Sequence, residues 1–380
     1  MIGGGRGSQI GPAHRLGATI DSNFIFAAGA LDANPDEGKK YAIELGLCEE
    51  RAYGDWKEML DLESKKENRL DLVTIATPNS THFEIAKGFL ESGFNVFCEK
   101  PMTMTIEEAE AILAISKKMG KICAVNFGYS GFSLVREMKS MVRQGVIGKV
   151  RLVKAEFAHG HHADATDAKN PRVRWRYDPK QAGTSAVLAD CGIHALHMAC
   201  FVCGEEVLEV SADFVSTITS RELEDDAMVN FRMTGGIVGR LWSSSIAIGR
   251  QHGLTLQVFG ENGGLSWSQE NPNQLYFMPL RGRTQIIERG DSTLSAAANA
   301  ASRVTIGHSE GMPLAFANLY VDIANELRNG QFSNKVQLER LYPSAEDGLR
   351  SVAAVHAACA SAEEMGKWMP AVPLSLKSVD

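Results

Sequence analysis

The first residues able to do chemistry stand at the start of the chain. Gly3, Gly5 and Ser8 fall at a Gly-x-Gly-x-x-Ser spacing, with Arg6 and Gly7 completing the turn. A dinucleotide site needs glycines where the chain turns sharply after a strand, because a side chain there would keep the pyrophosphate off the next helix N-terminus. A functionless glycine-rich tail is the alternative. Asp32 follows the apolar run 24–31. An acid at such a strand end hydrogen-bonds the ribose hydroxyls of NAD and repels the 2′-phosphate of NADP. Lys39 and Lys40 nearby keep NADP open, and a helix-capping Asp is the competing reading. Thr77-Pro78-Asn79-Ser80-Thr81-His82 comes directly after the apolar run 70–76. Open α/β sheets bind ligands beyond the carboxyl ends of their strands, so Thr77, Pro78, Asn79 and His82 are candidate cofactor contacts. Asn79 or Ser80 equally suits a helix cap. Glu99-Lys100-Pro101 follows the run 95–98 and puts a charged pair at that same edge, with Pro101 fixing the backbone. A solvated turn would carry the same residues.

These groups converge only if the segments ahead of them are parallel strands. The runs 24–31, 70–76, 95–98 and 121–127 read as strands. Between them, helices are predicted from Pro35-Asp36-Glu37 to Gly46, over 80–91 to Gly93, and over 106–119 to Gly120. That alternation predicts an α/β, Rossmann-type doubly wound parallel sheet over residues 1–127. After a helix over 132–144, polar and apolar residues alternate over 150–157, 208–219, 227–233, 236–246, 254–259, 264–268 and 274–278. Turns at Thr234-Gly235-Gly236 and Glu261-Asn262-Gly263-Gly264 join several of these segments. Helices over 315–328 and 344–365 follow. Residues 128–380 are therefore expected to form an α+β domain on a large, mostly antiparallel open sheet with one face covered, serving substrate binding and oligomerisation. Two domains also suit 380 residues, more than one core usually organises.

Taken in order, the glycine turn, Ala76-Thr77-Pro78-Asn79 with His82, and above all Glu99-Lys100-Pro101 resemble the Gfo/Idh/MocA oxidoreductases. That family is named for glucose–fructose oxidoreductase, inositol dehydrogenase and a rhizopine-catabolism protein. The resemblance covers most of the chain. It implies an NAD(P)-dependent enzyme that moves a hydride between nicotinamide and a secondary alcohol of a cyclic polyol, sugar or sugar derivative. In the family the motif's lysine lies near the nicotinamide and the reacting hydroxyl, which gives Lys100 a role toward cofactor and substrate, with Glu99 beside it. Asp190-Cys191-Gly192-Ile193-His194 is similar to the family's Asp-x-x-x-His element. A spacing of four predicts Asp190 and His194 on one helix face, one turn apart. Histidine suits the base that takes a hydroxyl proton near neutral pH. The resemblance thus makes His194 the base, has Lys100 polarise the oxygen, and has Asp190 orient the substrate or raise the basicity of His194; a buried structural His with a capping Asp is the competing reading. His197 lies on a neighbouring face. Asn126 and Tyr129 end the last parallel strand and are expected to line the cofactor and substrate sites. Trp175-Arg176 looks like the family's Trp-Arg element, whose Arg contacts substrate hydroxyls or cofactor. Packing explains Tyr129 and Trp175-Arg176 equally well.

Two other constellations are set aside. His159-Gly160-His161-His162 with Asp164 and Asp167 has the ligand types for zinc, but it lies in a loop and lacks a ligand spacing. No metal is expected, and His159 and His161 are assigned to the substrate. Cys200-Phe201-Val202-Cys203 continues the Asp190 helix and is expected to hold buried thiols. Seven unevenly spaced cysteines suit a reducing compartment. A net charge of −7 argues against nucleic acid as a partner. No run is long and apolar enough for a membrane span, and the first residues lack a signal-peptide core, so the expected location is cytoplasmic. An uncovered sheet face is expected to be buried by further copies, as a homodimer or homotetramer. Only Met1 and Ile2 precede the glycine turn where a central strand belongs, and further apolar residues ahead of Met1 are the corresponding expectation. Two rival readings remain: an NAD-dependent glycosidase that oxidises a sugar ring transiently, and a dinucleotide-binding regulator without turnover. A regulator is expected to lose the lysine or histidine; Lys100, Asp190 and His194 are all present.

Overall fold

Four short parallel strands carry the first group of candidate residues in the computed structural model, which describes residues 1–330 and 340–376. They are β1 (Ile2–Gly3), β2 (Leu72–Ala76), β3 (Asn95–Cys98) and β4 (Cys123–Val125), hydrogen-bonded in that order. Val73, Ile75, Val96, Phe97, Ala124 and Val125 are fully buried, which is why these strands read as continuous apolar runs rather than as alternations. The connections are α1 (Ile10–Thr19), α2 (Pro35–Glu44), α3 (Trp56–Ser64), α4 (His82–Glu91) and α5 (Ile106–Met119). Local chemistry sets their ends. The Asn34 side chain accepts hydrogen bonds from the backbone of Asp36 and Glu37, and Pro35 supplies the first turn of α2.

The expected strand over 24–31 is corrected. Only Gly29 and Ala30 form bridges, to Ala52 and Ile2. A strand exists where its backbone finds a ladder partner, and β1 offers only Ile2–Gly3. The residues ahead of them run beside a cavity bordered by Met1, Phe24, Phe26, Arg51, Leu72 and Tyr320.

The second sheet has nine strands: β5 (Val150–Ala158), β6 (Val207–Val215), β7 (Asp226–Met233), β8 (Val238–Ser244), β9 (Leu254–Gly260), β10 (Gly263–Ser268), β11 (Gln274–Pro279), β12 (Gln285–Glu288) and β13 (Met369–Pro370). Their order is β12-β11-β10-β9-β5-β8-β7-β6-β13. All neighbours are antiparallel except β5 and β8. Alternation gives the buried face directly: Ala227, Val229, Phe231 and Met233 of β7 are buried, with more exposed residues between them. The sequence reading missed β12 and β13, two short edge strands with no buried alternation. The remaining helices of the chain are α6 (Ser133–Arg143), α7 (Pro171–Arg174), α8 (Pro179–Ala182), α9 (Ile193–Cys203), α10 (Ala296–Ala300), α11 (Met312–Gly330) and α12 (Ala345–Glu363).

The chain divides into two compact units. One comprises Met1–Thr103, Glu107–Gly131 and Met312–Gly348; the other comprises Met104–Ile106, Phe132–Gly311 and Leu349–Asp380. The cut drawn from the sequence at 127/128 is continuous, whereas these units interleave. The physical reason is α11: Leu319, Tyr320 and Ile323 form a cluster with Phe97, Ala124 and Tyr342, and the Tyr320 ring meets Phe97 edge-on at 5.0 Å. Among the described residues no helix is long and apolar enough to cross a membrane, and no disulfide joins the cysteines.

Candidate active site

The glycine turn leaves β1 with Gly3 and Gly4 at φ +73° and +68°. A Cβ on Gly5 would lie 2.4 Å from the Leu31 carbonyl oxygen and 3.2 Å from Asp32 Oδ2. Only glycine allows that approach, and it sets the Asp32 carboxylate directly against the turn. The Asp32 Oδ1 accepts from the Asn34 backbone N–H at 2.9 Å, which orients the carboxylate. On the other side Thr77, at the carboxyl end of β2, stands against Gly3. Ser8 is corrected. Its hydroxyl accepts from Gly11 N–H at 3.1 Å, and a Cβ on Gly11 would meet the Gly4 oxygen at 2.2 Å. Close packing of helix on turn, the task of the third fingerprint glycine, thus falls to Gly11. The sequence reading missed this residue, although a glycine in the first turn of α1 was the available signal. Arg6 is exposed, ion-paired with Glu44 and stacked 4.7 Å over the Tyr41 ring. Lys39 lies 3.2 Å from Glu58.

His82 and Glu99 turn inward. His82 is fully buried, its Nδ1 2.8 Å from the Pro101 oxygen and its Nε2 2.9 Å from the Thr77 oxygen. It ties the loop after β2 to the loop after β3, and both ring nitrogens are engaged by the backbone rather than offered to a cofactor. Burial lowers its pKa. Glu99 Oε1 lies 2.8 Å from His14 Nε2 and accepts from Asn126 Nδ2, while Oε2 accepts from the Lys100 backbone N–H at 3.2 Å. Burial pushes this carboxyl up, yet the hydrogen bonds from His14 and Asn126 and the charge on Lys100 hold it below its usual value. His14, missed in the sequence, continues the network from Nδ1 to the Tyr320 hydroxyl at 2.9 Å, which in turn lies 2.9 Å from Thr74 Oγ1. Lys100 therefore sits on a backbone held through Glu99 by His14 of α1 and Asn126 after β4, and through Pro101 by His82 of α4. Tyr129 is buried in the short turn Gly128–Gly131.

In the second unit Asp190 and His194 do not share one regular α-helix. Leu188–Gly192 is a π-helix that runs into α9 at Ile193. Its wider i→i+5 turn replaces the expected α-helical turn, and such insertions are frequent at functional sites. Asp190 and His194 are half-buried. Asp190 Oδ2 lies 3.1 Å from Arg176 Nε, and the Arg176 guanidinium covers the Trp175 ring at 4.6 Å. The Trp-Arg element and the Asp-x-x-x-His element thus form one surface. His194 meets the Phe157 ring at 6.0 Å; that ring lies 4.8 Å from His252 and 6.3 Å from His159. His159 is buried, with Nε2 3.4 Å from Cys191 Sγ. Burial, with His162, His161 and His252 adding, lowers His159 to about 3. Burial and then Arg176 lower His162 to about 4. His161 is exposed, its Nε2 against the Gln251 carbonyl oxygen. His197 is buried and stacks on Phe201. Among the described residues no group of three His, Cys, Asp or Glu is arranged to hold a metal ion.

The first unit fits a dinucleotide. The Gly5 cradle faces the Asp32 carboxylate, and Asn126 Oδ1 is buried without a hydrogen-bond partner among the described residues. A buried acceptor left unmet costs about 1–3 kcal/mol, which a bound donor would recover. Sheet order, glycine turn and acid define an NAD-binding Rossmann unit joined to an open-sheet domain. Residues 1–127 match the oxidoreductase family with an NAD-binding Rossmann fold, and residues 135–266 match the GFO/IDH/MocA C-terminal domain. The chain belongs to this family of oxidoreductases, and its cofactor is NAD. It is 35% identical to the Bacillus subtilis (strain 168) oxidoreductase YfiI over 97% of this chain and 95% of that one. An inositol dehydrogenase homologue from Azotobacter vinelandii, crystallised with NAD+, superposes with a TM-score of 0.93 at 34% identity, covering 97% and 96% of the two chains. The same homologue with NADH and myo-inositol gives a TM-score of 0.89 at 34% identity over 97% and 96%. Levoglucosan dehydrogenase from Pseudarthrobacter phenanthrenivorans is 28% identical over 72% of this chain and 74% of that one.

Proposed function

We propose that this oxidoreductase oxidises a secondary alcohol of a cyclic polyol, with inositols the first candidates and sugars or sugar derivatives next. The carrying observation is the surface on which Arg176 is paired to Asp190 ahead of His194, with His159 and His162 held neutral beside it. Such a surface offers fixed donors and acceptors to several ring hydroxyls at once. The likeness to an inositol dehydrogenase homologue crystallised with myo-inositol supports the class.

NAD, when bound, supplies the hydride acceptor. In the first unit Gly3, Gly5 and Thr77 shape its pyrophosphate turn, Asp32 takes the ribose hydroxyls, and Asn126 offers its buried oxygen. His194 takes the hydroxyl proton of the substrate as the C–H bond breaks. Lys100 hydrogen-bonds the reacting oxygen and stabilises the charge that builds there. Asp190 and Arg176 orient the ring, and Tyr129, His159 and His161 complete the contacts with it. An NAD and NADP screen of inositols, aldoses and glycosides, read by nicotinamide fluorescence, tests the reading. Turnover of at least one polyol is expected, with kcat lowered about 10²–10⁴-fold in His194→Ala and about 10²–10³-fold in Lys100→Ala. Wild-type turnover in either variant overturns the assignment, as does a wild-type protein that binds NAD and oxidises nothing.

We also propose that another copy covers the open face of the second sheet. Leu152, Trp242 and Met228 share one face by register, and Leu152 and Met228 are 37% and 46% exposed. Light scattering on the purified protein is expected to give a dimer or tetramer; a monomer refutes this part.

A further inference from the structure

Glu224 and Asp225 precede β7 and carry no motif, yet both are buried, at 6% and 0% exposure. Buried carboxylates are tolerated only when donors surround them, so where these donors come from shows what the pair holds. Glu224 Oε1 accepts from Ser185 Oγ at 2.6 Å and Leu188 N–H at 3.1 Å, and its Oε2 accepts from Ala186 N–H at 3.1 Å. Those donors are the start of the π-helix that carries Asp190. Ser185 Oγ passes the anchor on by accepting from Ala189 N–H at 3.1 Å. A helix start has backbone N–H groups that no carbonyl of its own can meet, and here a side chain remote in sequence meets two of them.

Asp225 points to the other wall. It accepts from Thr217 N–H at 2.9 Å, Ile218 N–H at 3.1 Å and Arg221 Nη1 at 3.2 Å. The side chain of Arg221 is itself buried; its Nη2 donates to the His162 carbonyl oxygen and its guanidinium covers the Tyr177 ring at 4.1 Å. The Tyr177 hydroxyl lies 2.7 Å from Ser245 Oγ and 3.3 Å from His162 Nδ1. The Asp225 backbone oxygen accepts from Ser245 N–H at 2.9 Å, and the Ser245 oxygen accepts from His162 N–H at 3.0 Å.

We propose that Glu224 and Asp225 are the positioning pair of the polyol site, Glu224 fixing the π turn that bears Asp190 and leads into His194, and Asp225, through Arg221, fixing the loop of His159, His161 and His162. The inference rests on the polyol-dehydrogenase reading for its catalytic consequence. Adjacency in the chain is the point: two neighbouring carboxylates lock the two walls to one strand end, so neither can shift alone.

The experiment compares Glu224→Gln, Glu224→Ala and Asp225→Asn in the full-length protein. With the best polyol of the screen, Glu224→Ala is expected to lower kcat/KM about 100-fold, the scale of a misplacement of about 1 Å, while NADH affinity stays within twofold. Glu224→Gln keeps an oxygen for Ser185 and Leu188, so it should recover most of that loss and serves as the test if the alanine variant does not fold. Amide hydrogen exchange by mass spectrometry gives a readout independent of turnover: faster exchange confined to 185–194 in Glu224→Ala, and to 217–221 together with 159–165 in Asp225→Asn. Unchanged exchange in both variants overturns the proposal, as does kcat/KM within threefold of wild type in Glu224→Ala. A wild type without polyol turnover would sink the functional reading alone, since the exchange result still decides the positioning role.

Discussion

Asp32 is the residue whose chemistry is most exposed to test, since its carboxylate stands against the turn at Gly5. Hydrogen bonds from ribose hydroxyls to a carboxylate are worth about 1.5–3 kcal/mol each, and a 2′-phosphate in the same place would meet a like charge. Asp32→Ala is therefore expected to cut the ratio of kcat/KM for NAD over NADP by at least tenfold. The histidines His159 and His162 make a different prediction. Their folded pKa values of about 3 and about 4 lie below the unfolded value of about 6.5, so between those limits the unfolded chain binds more protons. Stability conferred by the neutral rings is complete above about pH 6.5 and is lost as pH falls through about 4. The melting temperature should drop over that window, and His162→Asn should flatten the drop; a pH-independent wild-type curve refutes it. The positions of Asp32 and Lys100 were legible in the sequence because each comes directly after its own apolar run, one ending in the bridges of Gly29 and Ala30 and the other forming β3. His14 and Glu224 were not, because their partners Tyr320 and Ser185 are distant in the chain and nothing local marks the pairing.

At the scale of elements, the glycine turn carries the dinucleotide motif and the π turn carries Asp190 ahead of His194, and they differ in how far sequence reveals them. The turn is set by sterics within a few residues. Gly11→Ala would drive a Cβ into the Gly4 carbonyl, so we expect it to weaken NADH binding at least tenfold and to lower the melting temperature, with polyol-side exchange rates unchanged. The spacing from Asp190 to His194 does not by itself distinguish an α- from a π-helix, and the Glu224 carboxylate that accepts from the Ala186 and Leu188 N–H groups at its start is remote in sequence. For the same reason the run 24–31 read as a strand: apolar content was present in the sequence, but a ladder partner is a property of the neighbour.

For the whole molecule, fold class was legible because two periodicities, buried runs and then alternation, follow one another along the chain. The ownership of α11 was not, since a helix's apolar stripe does not state which core it enters. Its contacts with Phe97 and Ala124 predict that residues 1–131 alone will not bind NADH or melt cooperatively, and that joining them to 312–348 by a flexible linker restores both. Cooperative melting of 1–131 by itself, seen by circular dichroism, would refute this.

That helix also fixes an order of events during synthesis. The dinucleotide-binding unit, begun at the first residue, receives its closing helix only after the whole of Phe132–Gly311 has left the ribosome. Domains usually fold as they emerge, N-terminal first, but here the faces of Phe97 and Ala124 that α11 covers must wait, exposed, through the making of the nine-stranded sheet. The nascent chain is thus expected to bind holding chaperones during that interval, and slowed translation should raise the amount co-purifying with stalled ribosomes, irrespective of the stability of the finished protein.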